Sequence, residues 1–213
     1  MNKLQCSLLV ALLAVCSGCA LLGKGKPLEL RYFDLQSEDG YQPTAHANGA
    51  QLKLGEVRSA RQIDRRFASR ESAHELSYHD GWRFSDEPDT FLQRALARNL
   101  FERAAVTRVV SGGAPTLEVE LTSFEQQAGD ESVHVSALAR VHDDRVQLWQ
   151  RTFAAEQKVA DGDEAEALAA ALSRALAEVA AQITEQTLQA LAQAAPPPTA
   201  PAPEREPAAQ VQP

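Results

Sequence analysis

One of the three cysteines of this chain, Cys19, stands in a sequence context that predicts its chemical modification. All three cysteines lie near the N-terminus, where Lys3 adds positive charge and residues 8–15 form a short apolar run. The small pair Ser17-Gly18 stands directly before Cys19. These features together define a secretory signal. A cysteine placed after them is typical of a bacterial lipobox. We therefore expect Cys19 to be alkylated with diacylglycerol, to become the first residue after cleavage and to receive an N-linked acyl chain.

The residues around Cys19 indicate where the anchored protein goes. Cys16 occupies the position where a lipobox usually has leucine, and Val15 before it makes Cys16 itself a poor lipidation site. Ala20 follows Cys19 in place of aspartate, which by the sorting rule of lipoproteins predicts the periplasmic face of the outer membrane. The alternative is a transmembrane anchor over residues 6–22, which at about 17 residues is at the short limit for a span.

No set of side chains has the spacing of a catalytic or metal site. The five histidines form no HxH or HExxH motif, so a zinc site has no local signature. GxSxG, Walker and GxGxxG motifs are also missing from the sequence. The carboxylate pair Asp143-Asp144 stands between two predicted strands, where we interpret it as turn chemistry. We predict no catalytic residue, no metal ligand, no cofactor other than the acyl chains, and no enzyme activity.

An arginine segment is the first candidate contact surface. Its members, within thirteen residues, are Arg58, Arg61, Arg65, Arg66 and Arg70. Guanidinium groups match the geometry of phosphates and carboxylates, so the segment suits anionic lipid or an acidic protein partner. The alternative is a solvated loop, in which Asp64 and Glu71 offset two of the charges.

A second candidate contact combines Tyr78, Trp82 and Arg83. Aromatic and arginine side chains dominate the energetics of protein interfaces, which makes this group a candidate partner-binding patch. The alternative is that Trp82 packs under the first helix as part of the core.

The net charge excludes nucleic acid as a partner. Asp and Glu number 29 against 21 Lys and Arg, which gives a net charge of −8. Nucleic-acid binders need a basic face to neutralise phosphates, and the overall balance here is acidic.

The chain divides into four segments. These are a signal peptide at 1–18, the lipidated cysteine with a flexible tether at 19–28, a folded domain at 29–194 and a Pro/Ala-rich tail at 195–213. The tail has seven prolines in 19 residues, so we expect it to be extended or disordered. It acts either as a periplasmic spacer or partner ligand or, as we prefer, as a dispensable tail.

Alternation of apolar and polar residues predicts a sheet in the folded domain. The strongest strands are expected at 116–124, 132–141 and 145–158, and the weaker ones at 30–35, 51–57, 66–72, 74–78 and 106–110. Asp143-Asp144 makes the tight turn of a hairpin between the last two strong strands. Strands spaced this closely favour antiparallel pairing.

Two helices complete the expected architecture. Ser85 or Asp86 caps the first, which has Pro88 in its first turn and runs to about Ala105. Asp161 or Asp163 caps the second, which ends before Pro196 and carries leucines at helical spacing. Its length of roughly 45 Å leaves two alternatives. The helix overhangs to meet another subunit or, as we prefer, lies across the sheet. The fold class is α+β, a mostly antiparallel mixed sheet with two main helices packed on one face.

A series of short motifs resembles a known family. In chain order they are Cys19, Arg31–Leu35, Leu54–Arg58, Ile63–Arg65, Arg70, Glu75–Tyr78, Trp82 before Pro88, Val119–Phe124 and Trp149. Their order and spacing over about residues 28–192 are similar to the ABC-type transport auxiliary lipoproteins, the PqiC-like, MCE-associated lipoproteins of the outer membrane.

The resemblance implies a non-catalytic accessory. Such lipoproteins assist an ABC permease, its ATPase and an MCE-domain protein that move phospholipid or other hydrophobic molecules between the inner and outer membranes, and some form homo-oligomeric rings. The resemblance supplies no lipid-binding residue. Because the chain has no ATP-binding loop, the energy for transport has to come from another subunit.

Three other functions agree less well with the sequence. An activator of a peptidoglycan synthase usually carries its Pro-rich region before the domain, whereas here it follows the domain. A subunit for lipopolysaccharide assembly would present a strongly basic lipid-binding face, which fits poorly with a net charge of −8. A lipid carrier acting alone would need a large apolar cavity, for which a single helix-covered sheet leaves little volume.

Overall fold

The computed structural model describes residues 28–35, 41–44, 49–160 and 164–194. The elements in chain order are β1 (Arg31–Phe33), β2 (Gln51–Ser59), β3 (Arg66–Ser72), β4 (Glu75–Phe84), α1 (Pro88–Ala97) continued by a π-helical turn (Arg98–Arg103), β5 (Thr107–Arg108), β6 (Thr116–Gln127), β7 (Ser132–His142), β8 (Gln147–Lys158) and α2 (Ala165–Ala194). Cys19, the tail at 195–213 and the predicted caps Asp161 and Asp163 lie outside the described residues.

The strands form one mixed sheet of eight, built around β6. β7 runs antiparallel to β6 on one side, and β8 runs antiparallel to β7 beyond it. β2 and β3 both run parallel to β6 on its other side. The long ladders are antiparallel and the shorter pairings mostly parallel, which confirms the predicted mixed α+β sheet.

A bulge lets β6 pair with two strands along one edge. β2 pairs with its first part, up to Ser59 opposite Leu121, and β3 pairs with its end, at Ser69 opposite Gln126. The register of β6 against β7 shifts between Leu121 and Ser123. The extra residue, Thr122, donates its hydroxyl to the carbonyl oxygen of Ser136 at 3.1 Å. This hydrogen bond holds the bulge at the level where the pairing partner of β6 changes from β2 to β3.

Both helices pack on the same face of the sheet and against each other, as predicted. The alternating residues of β6 and β7 that face them are apolar and buried, for example Val119, Leu121, Val135 and Val141. α2 lies over β7 and β8 and remains buried near its end, with Leu188 1% and Leu191 5% exposed. The helix therefore lies across the sheet, and the overhang alternative is not supported.

The start of α1 differs from the prediction. Its N-cap is Glu87, which makes no side-chain capping bond, and Pro88 opens the helix. The predicted cap Ser85 instead donates its hydroxyl to Asp34 at 3.2 Å, tying β1 to the end of β4. The helix stops before the predicted Ala105, which adopts a left-handed φ of 55°.

Two strand bounds also differ from the prediction. β4 continues to Phe84, so residues 82–84 belong to the sheet instead of leading into the helix. β5 is only two residues long, Thr107–Arg108, whereas five residues at 106–110 were expected. Val106 is 3% exposed and its amide donates to the carbonyl oxygen of Leu100, so it belongs to the helix end.

Candidate partner-binding face

The face of the sheet opposite the helices is polar, and we call it the open face. It carries the outward residues of β2, β3, β6, β7 and β8. Cross-strand charge pairs join neighbouring strands along it. These pairs are Arg58–Glu120 at 3.0 Å, Arg140–Glu118 at 2.7 Å and Arg70–Glu125 at 2.8 Å, and a ring nitrogen of His134 lies 3.3 Å from Glu156 across β7 and β8. Opposite charges on facing strands fix the register and leave little unpaired charge in the middle of the face.

The most enclosed of these pairs is Arg70 with Glu125. The two groups meet through a double hydrogen bond, at 3.0 and 2.8 Å, and the Glu125 side chain is only 8% exposed. The guanidinium of Arg70 donates to Glu125, and this hydrogen bond raises the pKa of Arg70. The pair bridges β3 and β6 at the point where their ladder is only two residue pairs long. It therefore stabilises a joint of the sheet that few backbone pairs hold.

Glu118 lies at the centre of a second group on the open face. Arg140 donates to Glu118, and His142 lies 3.6 Å from it. The Arg140 hydrogen bond holds the pKa of Glu118 below its ordinary range, against a smaller upward effect of burial. Glu118 is therefore ionised at neutral pH and positions both cross-strand neighbours.

Close backbone approach in β2 brings Arg58 over β6. A Cβ placed on Gly55 would lie 2.8 Å from Cγ2 of Thr116 and 3.2 Å from the carbonyl oxygen of Leu117. Only glycine fits this contact without displacing β6. The register of β2 against β6 shifts just after it, between Leu54 and Val57.

A separate region of the sheet lies at the edge where the described chain begins, and we call it the β1 face. It consists of Leu28, Leu30, Tyr32, Arg65, Arg66 and Arg83. Tyr32, Arg83 and Arg66 occupy facing register positions on β1, β4 and β3. The guanidinium of Arg65 lies 5.7 Å from the Tyr32 ring. A groove of about 350 Å³ runs between these side chains.

The arginines of the β1 face are held by internal hydrogen bonds. Arg66 forms a forked pair with Asp64, which keeps the pKa of that carboxyl below its usual range. Arg65 donates to the carbonyl oxygen of Phe84 at 2.9 Å, and Arg83 donates to that of Trp82 at 2.7 Å. The guanidinium groups are thus fixed in place at low entropic cost.

The structure brings together four of the predicted contact residues. Arg66 lies 3.8 Å from the ring centroid of Tyr78, and Arg65 and Arg83 are its neighbours in the groove. Arg58 lies elsewhere on the open face, paired with Glu120, and Arg61 is exposed in the turn after β2. The arginine segment is therefore neither one patch nor a fully solvated loop.

Trp82 lies on the other side of the sheet from Tyr78. Its ring stacks on His79 at 4.5 Å and meets Phe67 edge-on at 5.9 Å, and it packs against the core. Trp82 thus packs on the apolar side of the sheet, against residues of β3 and β4. Tyr32, Leu30 and Leu28 were missed as surface residues. Their alternate spacing on a strand was the available signal.

Two grooves of the described chain lie on the open face and are lined mainly by charged and polar side chains. One of them, about 580 Å³, lies at the end of the open face, with Arg70, Glu125, His134 and Glu156 among its lining residues. Within residues 28–35, 41–44, 49–160 and 164–194, no group of three or more His, Cys, Asp or Glu side chains could hold a metal ion. Over the same residues, none of the helices has the length and apolar character needed to cross a membrane.

Comparison with known proteins gives one family and a shared fold. A sequence model of the family "ABC-type transport auxiliary lipoprotein component" matches residues 33–184. Protein XCC0632 from Xanthomonas campestris, assigned to the DUF330 family, is similar at a TM-score of 0.66 and 18% identity, covering 76% of this chain and 98% of that one. The crystal structure of an uncharacterized protein is similar at 0.62 and 16%, covering 75% and 99%. No curated protein matches the chain.

Proposed function

The chain belongs to the family of ABC-type transport auxiliary lipoprotein components, and from this membership we propose a specific role. The protein is a non-catalytic accessory subunit of an ABC/MCE-type system that moves phospholipid or other hydrophobic molecules between the inner and outer membranes. The observation that carries the proposal is the family match, which extends over most of the described fold. The permease and ATPase supply the energy, and the MCE-domain protein is the direct partner.

The anchor in this proposal is Cys19. A diacylglycerol group on its sulfur and an acyl chain on its nitrogen hold the domain at the periplasmic face of the outer membrane, since Ala20 follows it. Two or more acyl chains give stable membrane attachment, whereas one gives only marginal binding.

The grooves on the open face support an accessory role over independent lipid transport. A phospholipid acyl chain requires an apolar channel, whereas charged side chains such as Arg58, Glu120 and Arg70 line these grooves. The open face offers a rigid, charged surface instead. We assign the docking of the transporter partner to this face, with Arg58 and the exposed Arg61 at its β2 side. Copies of the chain arranged in a ring would repeat this surface around an axis.

Site-specific crosslinking in cells tests this role. A photoreactive amino acid replaces Arg61 or Arg140, both exposed on the open side, and the matched control replaces Gln189, which is exposed on α2. We expect the first two positions to capture an MCE-domain protein, with the permease and ATPase recovered in the same complex. Gln189 should not capture these proteins.

Two results would contradict the proposal. Capture of a peptidoglycan synthase or an outer-membrane barrel, without transporter components, would assign the chain to cell-wall regulation or lipopolysaccharide assembly. Capture of the transporter only from Gln189 would keep the function and move the docking surface to the helices.

A further inference from the structure

The β1 face exposes apolar side chains in an unusual concentration. Among the described residues, six large apolar side chains are exposed, and three of them are consecutive alternate positions of one short segment. Leu28 is 61%, Leu30 43% and Tyr32 59% exposed. Leu30 and Tyr32 line one groove, and Leu28 lies beside Gly81 of the neighbouring β4, so the three side chains form a strip along this edge of the sheet.

Positive charge borders this strip. Arg83 is the register partner of Tyr32, and Arg66 is the register partner of Arg83, so a row of guanidinium groups extends from the strip across two strands. Arg65 lies against the Tyr32 ring. Two carboxylates, Asp64 and Glu87, line the same groove. Asp64 is paired with Arg66, and with both carboxylates ionised the three arginines still give the groove a net positive charge.

The strip lies where the chain leads to its proposed anchor. Leu28 is the first described residue, and Cys19 precedes it by nine residues. A fully extended segment of that length reaches about 30 Å. The segment contains Lys24 and Lys26, which add positive charge on the membrane side. The short tether therefore keeps the β1 face closer to the bilayer than surfaces at the far edge of the sheet.

We propose that the β1 face lies on the phospholipid headgroups of the bilayer that holds the anchor. This inference rests on the lipid anchor of the proposed function. Leu28, Leu30 and Tyr32 enter the interfacial region, where leucine and amphipathic aromatic rings are favoured. The guanidinium groups of Arg65, Arg66 and Arg83 contact lipid phosphates, for which their planar geometry is suited. The contact fixes the orientation of the domain on the membrane.

A depth measurement on the acylated protein tests the contact. The mature chain has no thiol besides Cys19, so one introduced cysteine can be labelled selectively. A fluorophore is attached at Leu30→Cys, and the control label is at Val146→Cys, which is 57% exposed and precedes β8, on the other side of β6 from β1. Each protein is reconstituted in vesicles of phosphatidylethanolamine and phosphatidylglycerol that carry a nitroxide-labelled lipid as quencher.

We expect the label at residue 30 to be quenched several-fold more strongly than the label at residue 146. Equal quenching of the two labels on protein bound to vesicles would overturn the inference and leave the proposed function intact. The intact mass of the mature protein separates the two proposals, because a mass without acyl chains would overturn the anchor itself. A label at residue 30 that the captured partner protein shields, with no quenching by lipid, would assign the face to a protein contact.

A second variant separates apolar from electrostatic contact. With the label moved to Tyr32→Cys, the double substitution Leu28→Ser and Leu30→Ser should reduce quenching, since both side chains are exposed and their loss leaves the core intact. Replacing phosphatidylglycerol by phosphatidylcholine should also reduce it through the loss of anionic charge. Quenching that is unchanged by both alterations would contradict the assigned chemistry.

Discussion

At the residue scale, the Arg70–Glu125 pair shows how burial determines the contribution of an ion pair to stability. The Arg70→Ala substitution leaves the largely buried Glu125 carboxylate without its forked partner. We expect the free energy of unfolding to fall by about 2–3 kcal/mol, because an uncompensated buried charge is costly. Denaturant titration with urea measures the change.

Arg58→Ala is the matched control for that experiment. Arg58 pairs with Glu120 in the same face and at a similar distance, but its side chain is 53% exposed. Solvent screens such a pair, so its loss should change stability little. Equal loss of stability in the two variants would contradict the argument that burial makes the Arg70–Glu125 pair the more stabilising one.

Glu118 links stability to pH through Arg140. The folded-state pKa of Glu118 lies below its ordinary 4.5 because Arg140 donates to it. A carboxylate of this kind stabilises the fold above its unfolded pKa, and that contribution is lost as pH falls through the folded pKa. Arg140→Gln should therefore reduce stability at neutral pH and flatten the loss on acidification. Urea unfolding of both proteins at a series of pH values tests this, and two parallel curves would refute it.

At the element scale, Gly55 sets the distance between β2 and β6. The Gly55→Ala substitution adds a Cβ at 2.8 Å from Cγ2 of Thr116, so the Thr116 side chain or one of the two strands has to shift. We expect a loss of about 1–3 kcal/mol in the free energy of unfolding. Thr116→Ser removes the clashing methyl group, and the double variant should recover part of the loss. The absence of any recovery would locate the cost at the Leu117 carbonyl oxygen instead.

The C-terminal part of α2 provides a second prediction at this scale. Leu188 is 1% exposed although it lies six residues from the helix end, so Leu188→Ala creates a cavity. The expected cost is about 2–4 kcal/mol, measured by thermal or urea unfolding. The neighbouring Gln189→Ala, on the exposed side, should have little effect. Equal stability of both variants would mean that this end of α2 is detached in solution.

The face to which a side chain points was the hardest property to predict. Tyr78 and Trp82 are four residues apart, so simple alternation places them on one face. In the structure, Tyr78 lies opposite Ala68, and Arg83 lies opposite Arg66. Between these two pairs β4 has more residues than β3, so the alternation is interrupted. Gly81 in this irregular stretch has a left-handed φ of 81°. The irregularity reverses the alternation and turns Trp82 toward Phe67, which no local pattern reveals.

At the scale of the whole molecule, β6 joins all parts of the sheet. It pairs with β2, β3 and β7, and β7 connects it to β8 and α2. We expect hydrogen exchange, followed by mass spectrometry, to show the slowest amides in β6 and β7. The short edge strands β1 and β5 should exchange fastest, since few contacts protect them. Protection of β3 and β4 that is lost well before that of β6 would indicate two cooperative units in place of one.

The central strands and the pairing of distant segments differ in how well the sequence predicts them. The alternating apolar residues of β6 and β7, such as Val119 and Val135, carry a local signal that predicts both strands and their antiparallel ladder. The sharing of one β6 edge by β2 and β3 depends on contacts between segments more than 50 residues apart, for example Ser69 with Gln126. Periodicity contains no information on such partners. The β1 face was missed for the same reason, since its arginines and its apolar strip come from three separate strands.

The three residue pairs between β1 and β4 have a mechanical consequence. When the chain is pulled from residue 28 against the rest of the domain, the load acts first on this short ladder. Because β1 is the edge strand, it separates under tension before its neighbour β4, which five register pairs join to β3. The detached strand then lengthens the connection to the anchor and limits the force that reaches the core. The edge strand thus acts as a yielding link between a tethered end and a rigid body.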